Sequence, residues 1–377
     1  MTSDIDSRLS QLRARRKGEP SLVAFSEAAA ASNRYFTADA AEVEDWEKRG
    51  TSSQRWTRYA IGGMQAVGKK YTEVSVQTGE RVASQLRDRL AKAGIDAEFR
   101  LQGSVPLDVH IKRVSDVDVL AIRKDFYTYN NAGVQALRGG YRNPSRMTSS
   151  GVLSSLRQQV ESDLVDAFPA AKVDKTGAKA VRVSGGSLQR SVDVVPAHWY
   201  DTKEYQASGR QADRAVTIYN KNTGETIDNL PFLHIERVAC RCDSINGGLR
   251  KAIRLCKNVK ADSDRDIQLS SYDIAAIMYH ADMSALRLGQ YSDLAVLTET
   301  QRHLDALYQD PSAASKLWVP DGSRVIFDTS EKRDWLLQLS VEMDELLQNV
   351  YQENFPGQIS SSSSRGVQRE LIKALKV

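Results

Sequence analysis

The stretch SDVDVLAI (115–122) sets Asp116 and Asp118 one residue apart among valine, leucine and isoleucine. Alternate residues of a strand share a face, so the two carboxylates project together while Val117 and Val119 turn to a core. At low dielectric, neighbouring carboxylates do not both stay ionised unless a cation lies between them. Magnesium suits that place, because it takes hard oxygen ligands and keeps positions open for phosphate. The pairs Asp4/Asp6, Asp262/Asp264 and Asp264/Asp266 lie in polar, loop-like sequence, where a solvated turn accounts for them.

A second strand-like run, SVDVVPA (191–197), places Asp193 between Val192 and Val194. If this strand lies beside the first, three carboxylates meet. Such a set holds two magnesium ions about 3.5–4 Å apart, with manganese as a substitute. One ion would bind a triphosphate and the other would acidify an attacking hydroxyl, whose proton Asp193 could help take. Gly103-Ser104 ends another strand-like run, AEFRLQ (97–102), and precedes VPLDVHI. Glycine lets the backbone come close to a ligand, and the amides of the turn that follows can hold phosphate oxygens.

The elements that must position these groups read as follows. Ile61, Met64, Val67, Tyr71, Val74, Thr78, Val82, Leu86 and Leu90 recur at helical steps from about Gln54, with Gly94 as a stop and Gly62, Gly63, Gly68 and Gly79 as interruptions. VLSSLRQQVESDLVDAF (152–168) is helical, KAVRVS (179–184) a strand, and AVTIYNKNTGETI (215–227) a hairpin. Beyond Pro231 the pattern is helical, ending in Trp335, Leu339, Met343, Leu346 and Val350, with Asp328 and Glu331 spaced as a capping box. ISSSSSRG (359–366) reads as a linker before a short tail. The expected organisation is an N-terminal arm with short helices (1–53), a mixed α/β unit (54–230), a helical unit (231–358) and a linker with tail (359–377).

In this order, Gly-Ser, Asp-x-Asp on a strand and a later strand Asp resemble the signature of polymerase-β-like nucleotidyltransferases. DVVPA resembles the bacterial CD-NTases, relatives of cyclic GMP–AMP synthase, in particular. The resemblance covers about positions 54–280. It implies an α+β fold: a two-lobed palm with a long spine helix, and a helical C-terminal domain. It further implies Asp116, Asp118 and Asp193 as catalytic metal ligands and Gly103 and Ser104 at the nucleotide. GGLRKAIRLCKNVK (247–260) is similar to the family helix whose lysine reaches the triphosphate. That position is Lys257, with Arg254 and Lys260 near its face; a solvated basic face is the plainer reading. The aromatic residue usual just after this lysine is replaced by Asn258 and Val259. LSSYDIAAIMYH (269–280) is similar to the family's Ser-Tyr pair, implying Ser271 on a phosphate and Tyr272 stacked on a base. The plainer reading is a helix cap followed by a core tyrosine.

The resemblance implies a magnesium-dependent synthase of a cyclic di- or trinucleotide messenger in antiphage signalling. Its substrates would be nucleoside triphosphates, ATP among them, and its partners an effector that senses the product and a regulatory protein. One alternative is a transferase that modifies a protein, an RNA end or a small molecule. Another is a silent nucleotide- or nucleic-acid-binding module, against which the intact aspartate set argues. The net charge of +4 suits anionic substrates but is too mild to indicate a nucleic-acid binder. The basic run Arg13-Ala-Arg15-Arg16-Lys17 is expected to be a solvated arm. No apolar run of about eighteen residues is present, and the N-terminus lacks the apolar core of a secretory signal. Cys240, Cys242 and Cys256 are too few and too clustered for a disulfide framework, so a cytoplasmic, reducing setting is expected. With His234 they suggest zinc only weakly, because Cys240 and Cys242 diverge on a helix.

Overall fold

The alternating run around Asp118 becomes one strand of a mixed sheet. The computed structural model describes residues 4–17, 44–112, 114–142, 144–357 and 364–377. The principal elements in chain order begin with α1 (Ile5–Lys17), α2 (Arg55–Met64), α3 (Lys69–Lys92), β1 (Ala97–Gln102), β2 (Val117–Tyr129) and α4 (Ser149–Ala167). Next come β3 (Lys172–Asp174), β4 (Val181–Ser184), β5 (Val192–Asp201), β6 (Ala215–Asn220) and β7 (Glu225–Asn229). The helical part holds α5 (Pro231–Asp243), α6 (Gly248–Asp262), α7 (Ser271–Tyr279), α8 (Asp293–Gln309), α9 (Glu331–Asn354) and α10 (Arg365–Lys373). Shorter helical turns join them.

The sheet runs β1-β2-β5-β4-β3, and β6 joins the far half of β5 and carries β7. Only β2 and β5 are parallel; the other pairs are antiparallel. Period two divides the sheet cleanly. Val117, Val119, Val181, Val183, Val192 and Val194 face α3 and α4, meeting Val82, Leu86, Leu156 and Val160 in one core. The opposite face carries Asp118 and Asp193, then Leu120, Ile122, Val195 and Trp199. α3 lies close to the sheet at Gly79, where an added Cβ would stand 2.9 Å from both Leu101 Cδ2 and Val117 Cγ1. Gly79→Val is therefore expected to cost about 1–3 kcal/mol by overpacking. A denaturant midpoint unchanged from wild type would refute that close approach.

The helix expected over 54–94 is two helices, broken at Gln65–Gly68. α2, which the sequence placed with the α/β unit, buries Tyr59, Ala60, Ile61 and Met64 in the helical core. The basic run is not a solvated arm. It closes α1, whose Leu9 and Leu12 join that same core. Arg8 pairs with Glu342 at 2.6 Å, both buried, and Arg15 grips Asp262 with two bonds of 2.5 Å. Asp262 is thus an interior anchor that also accepts the Tyr59 hydroxyl, not part of a solvated turn. The expected capping box does not form: no side chain caps α9, and Asp328 instead pairs with Lys332 at 2.8 Å. The tail forms α10, which buries Ile372. The alanine-rich stretch 28–42 and most of the serine-rich linker lie outside the described residues.

Candidate active site

Asp118 of β2 and Asp193 of β5 are register partners across the parallel pair, so their side chains leave the same face side by side. Asp116 stands just before β2, which begins at Val117, two residues later than the strand-like run from Ser115 implied. Its carboxylate pairs with Arg182 of β4, and Arg182 is in turn the register partner of Asp193. Burial, with Asp193 and Asp116 nearby, pushes the Asp118 carboxyl up to about 7, although Lys257 and Arg182 pull the other way. Asp193 is raised by burial and by Asp116. Asp116 is raised by burial, which outweighs its pairing with Arg182. Among the described residues no three His, Cys, Asp or Glu side chains form a ready cation cage. Three hard-oxygen donors held in mutual repulsion do fit a divalent cation, which would offset the cost of ionising them together.

Gly103 follows β1 with φ +76°, and an added Cβ would lie 2.2 Å from Asp118 Oδ2. The turn can therefore rest on the carboxylate only if residue 103 has no side chain. Gly103→Ala is expected to leave the global fold in place and to cut turnover by more than ~10²-fold, because the carboxylate must move about an ångström or more. Near-normal turnover of a folded variant would show that this contact is dispensable.

Gly103-Ser104 opens a turn that runs to Asp116 and reaches into the other lobe, where Leu107 and Val109 join the helical core. α6 holds this turn by its main chain. Arg250 Nε donates to the Leu107 carbonyl at 2.9 Å, Arg254 Nη1 to Asp108 at 2.6 Å, and Lys257 Nζ to Val109 at 2.8 Å. Lys257 also donates to Ser115 Oγ at 3.1 Å, next to Asp116. Three side chains at i, i+4 and i+7 thus satisfy three consecutive carbonyls. Lys257, expected at a triphosphate, is 3% exposed, and burial lowers its ammonium to about 8 against the pull of Asp118. Lys260 and Lys251 are engaged elsewhere, on the Leu269 carbonyl and on Asp293. The basic residues of α6 are thus engaged within the protein rather than forming a freely solvated face.

Ser270, not Ser271, caps α7, accepting from the Asp273 amide at 3.0 Å; Ser271 is exposed. Tyr272 is half-buried, stacked on His234 with centroids 4.3 Å apart, and donates to Asp321 Oδ2 at 2.5 Å. His110 is buried, lies 3.1 Å from Thr72 Oγ1, and falls to about 4 through burial. Cys242 and Cys256 are buried and Cys240 is exposed, all as free thiols, and no zinc set exists among the described residues.

A mixed sheet with paired strand aspartates, a Gly-Ser turn packed on one of them and a spine helix behind defines a polymerase-β-like nucleotidyltransferase. No protein-family model matches the chain. It is 44% identical over 358 residues to cyclic dinucleotide synthase CdnE of Yersinia aleksiciae, covering 92% of each chain. It is 32% identical over 325 residues to a c-di-GMP synthase of a Lachnospiraceae bacterium, covering 80% of this chain and 86% of that one. The structure of a STING-associated CdnE c-di-GMP synthase from Capnocytophaga granulosa matches with a TM-score of 0.68 at 26% identity, over 92% of this chain and 99% of that one. The chain belongs to the CD-NTase family, on the branch of the CdnE cyclic dinucleotide synthases. It is accordingly an enzyme, a nucleotidyltransferase that makes cyclic oligonucleotides from nucleoside triphosphates. Enzymes of this family generally use divalent metals. No helix among the described residues is long and apolar enough to cross a membrane.

Proposed function

We propose that the chain condenses two nucleoside triphosphates, GTP among them, into a cyclic dinucleotide signal, with Asp116, Asp118 and Asp193 as magnesium ligands. The observation that carries this reading is the register pairing of Asp118 with Asp193 beneath Gly103. Bound divalent cations would neutralise phosphate charge and acidify the attacking ribose hydroxyl, with manganese able to substitute. Asp193 accepts the hydroxyl proton. The Gly103-Ser104 turn receives phosphate oxygens on its amides. Lys257 acts through that turn, as the residue that holds it, and Ser271 and Tyr272 line the nucleotide's phosphate and base side. Guanine is favoured because three relatives carry the name c-di-GMP synthase. ATP, expected from the motif resemblance, is the competing substrate. The bacterial setting of the family supports a role in antiphage defence through a product-sensing effector in the cytoplasm.

The test supplies each α-³²P-labelled nucleoside triphosphate alone and in pairs, then treats the products with phosphatase. A phosphatase-resistant product from GTP alone supports the reading; a product that forms only with ATP present reassigns the bases. Label found on protein or RNA would replace synthesis of a messenger with modification of a macromolecule. Tight nucleotide binding without turnover in magnesium or manganese would make the chain a silent binding module.

A further inference from the structure

One register line crosses four strands of the open face. Asp118 of β2 pairs with Asp193 of β5, Asp193 with Arg182 of β4, and Arg182 with Asp174 of β3. Residues directly opposite in adjacent strands put their side chains on one face, with Cβ atoms about 4.5–5.5 Å apart. Arg182 thus stands between two acidic neighbours, one on either side. Its guanidinium takes neither of them. It reaches over to Asp116, whose Oδ1 it binds. The Arg182 side chain is 45% exposed, so no packing locks it there. Among the described residues Asp174 meanwhile holds its own loop, accepting from the Thr176 amide at 2.8 Å and hydroxyl at 2.6 Å, both on Oδ1. Its second oxygen is open to a guanidinium from the adjacent strand.

We propose that Arg182 is a built-in counter-cation of the aspartate cluster that competes with the divalent metal for Asp116 and withdraws to Asp174 when the metal binds. The inference rests on the reading of Asp116, Asp118 and Asp193 as metal ligands. Its logic is charge compensation. Without a second cation, three half-buried carboxylates in one corner would repel one another, and a guanidinium on one of them lowers that cost. The Asp116 Oδ1 held by Arg182 is not available to a metal, so a cation that takes that oxygen displaces the arginine. Asp174 makes the displaced position favourable, since a guanidinium moved off Asp116 regains a carboxylate one strand away. Arg182 is a positioning residue on this account, and Asp174 sets how readily it leaves.

Binding of Mn²⁺ to the nucleotide-free protein, titrated by electron paramagnetic resonance at constant pH, tests this without reference to turnover. Arg182→Gln is expected to bind Mn²⁺ ~3–5-fold more tightly than wild type, the scale of an exposed ion pair. Asp174→Asn is expected to bind about as much more weakly. In the double variant, Asp174→Asn should have a clearly smaller effect, because its influence through Arg182 is then gone and only its direct field on Asp193 remains. Unchanged or weaker binding in Arg182→Gln overturns the proposal, as does an Asp174→Asn effect that is equally large without the arginine. Asp118→Asn separates the two layers. If wild type binds Mn²⁺ and Asp118→Asn does not, the metal reading stands whatever Arg182 does; if neither binds, the metal reading falls and the proposal with it.

Discussion

Asp118→Asn is expected to lose at least ~10³-fold in turnover and, in metal-free buffer at pH 8, to melt at a higher temperature than wild type. The two effects share one cause. In the fold the Asp118 carboxyl titrates at about 7, above its ordinary value of 3.8, through burial first and then Asp193 and Asp116. A carboxyl raised in the folded state contributes stability that is complete below the ordinary value and is lost as pH climbs through 7. Wild type should therefore lose roughly 2–4 kcal/mol relative to the variant between pH 4 and pH 8. The comparison must be between the two proteins, because burial also holds His110, His234 and His303 near 4. Those depressed histidines remove stability as pH falls below their ordinary range, in the opposite direction and equally in both proteins. Divalent cation reverses the ranking: Mg²⁺ or Mn²⁺ should raise the wild-type melting temperature more at pH 8 than at pH 5, and leave the variant unmoved. A variant less stable than wild type in chelator at pH 8 would mean that the carboxylate serves packing rather than a cation.

Lys257→Met tests the other half of the site. Removing the ammonium strands the Val109 carbonyl and leaves Ser115 Oγ with only the Ile111 amide, at a cost of about 1–3 kcal/mol. It also frees the segment between Gly103 and Asp116, so turnover should fall by more than ~10²-fold. A lysine whose role is to meet a triphosphate would show a different signature, with stability held and the Michaelis constant for nucleotide raised. Urea denaturation beside steady-state kinetics decides between them. The buried geometry of Lys257 predicts the first outcome.

The carboxylates were legible because strand period announces itself locally. Val117-Asp118-Val119 and Val192-Asp193-Val194 each put one charged side chain opposite two core valines, and the sheet keeps that division. The same frame stood in Val181-Arg182-Val183, where it could have flagged Arg182 as a third occupant of the open face; a single arginine in a strand carries no charge conflict to draw notice. The grip of α6 on the turn was hidden for a different reason. It joins residues about 140 positions apart through carbonyl oxygens, which every residue possesses, so nothing in residues 107–109 distinguishes them. The spacing of Arg250, Arg254 and Lys257 was the available trace. The break between α2 and α3 had its glycine at Gly68, but that α2 belongs with the helical core is decided by Tyr59 meeting Asp262, a contact across some two hundred residues. Likewise the basic run of α1 looked solvated because its acidic partners, Glu342 and Asp262, are remote in sequence.

A clasp that reads mainly main-chain oxygens is largely indifferent to side-chain identity, the longer Arg254 contact with the Asp108 carboxylate at 3.4 Å aside. Outward positions such as Pro106 can be exchanged while the three contacts on residues 107–109 persist, provided Leu107 and Val109 stay apolar. The exposed rim of this turn is thereby uncoupled from its seat on α6. Substrate preference can be diversified there, by evolution or in a library, on a frame whose rigidity is supplied from outside the varied segment.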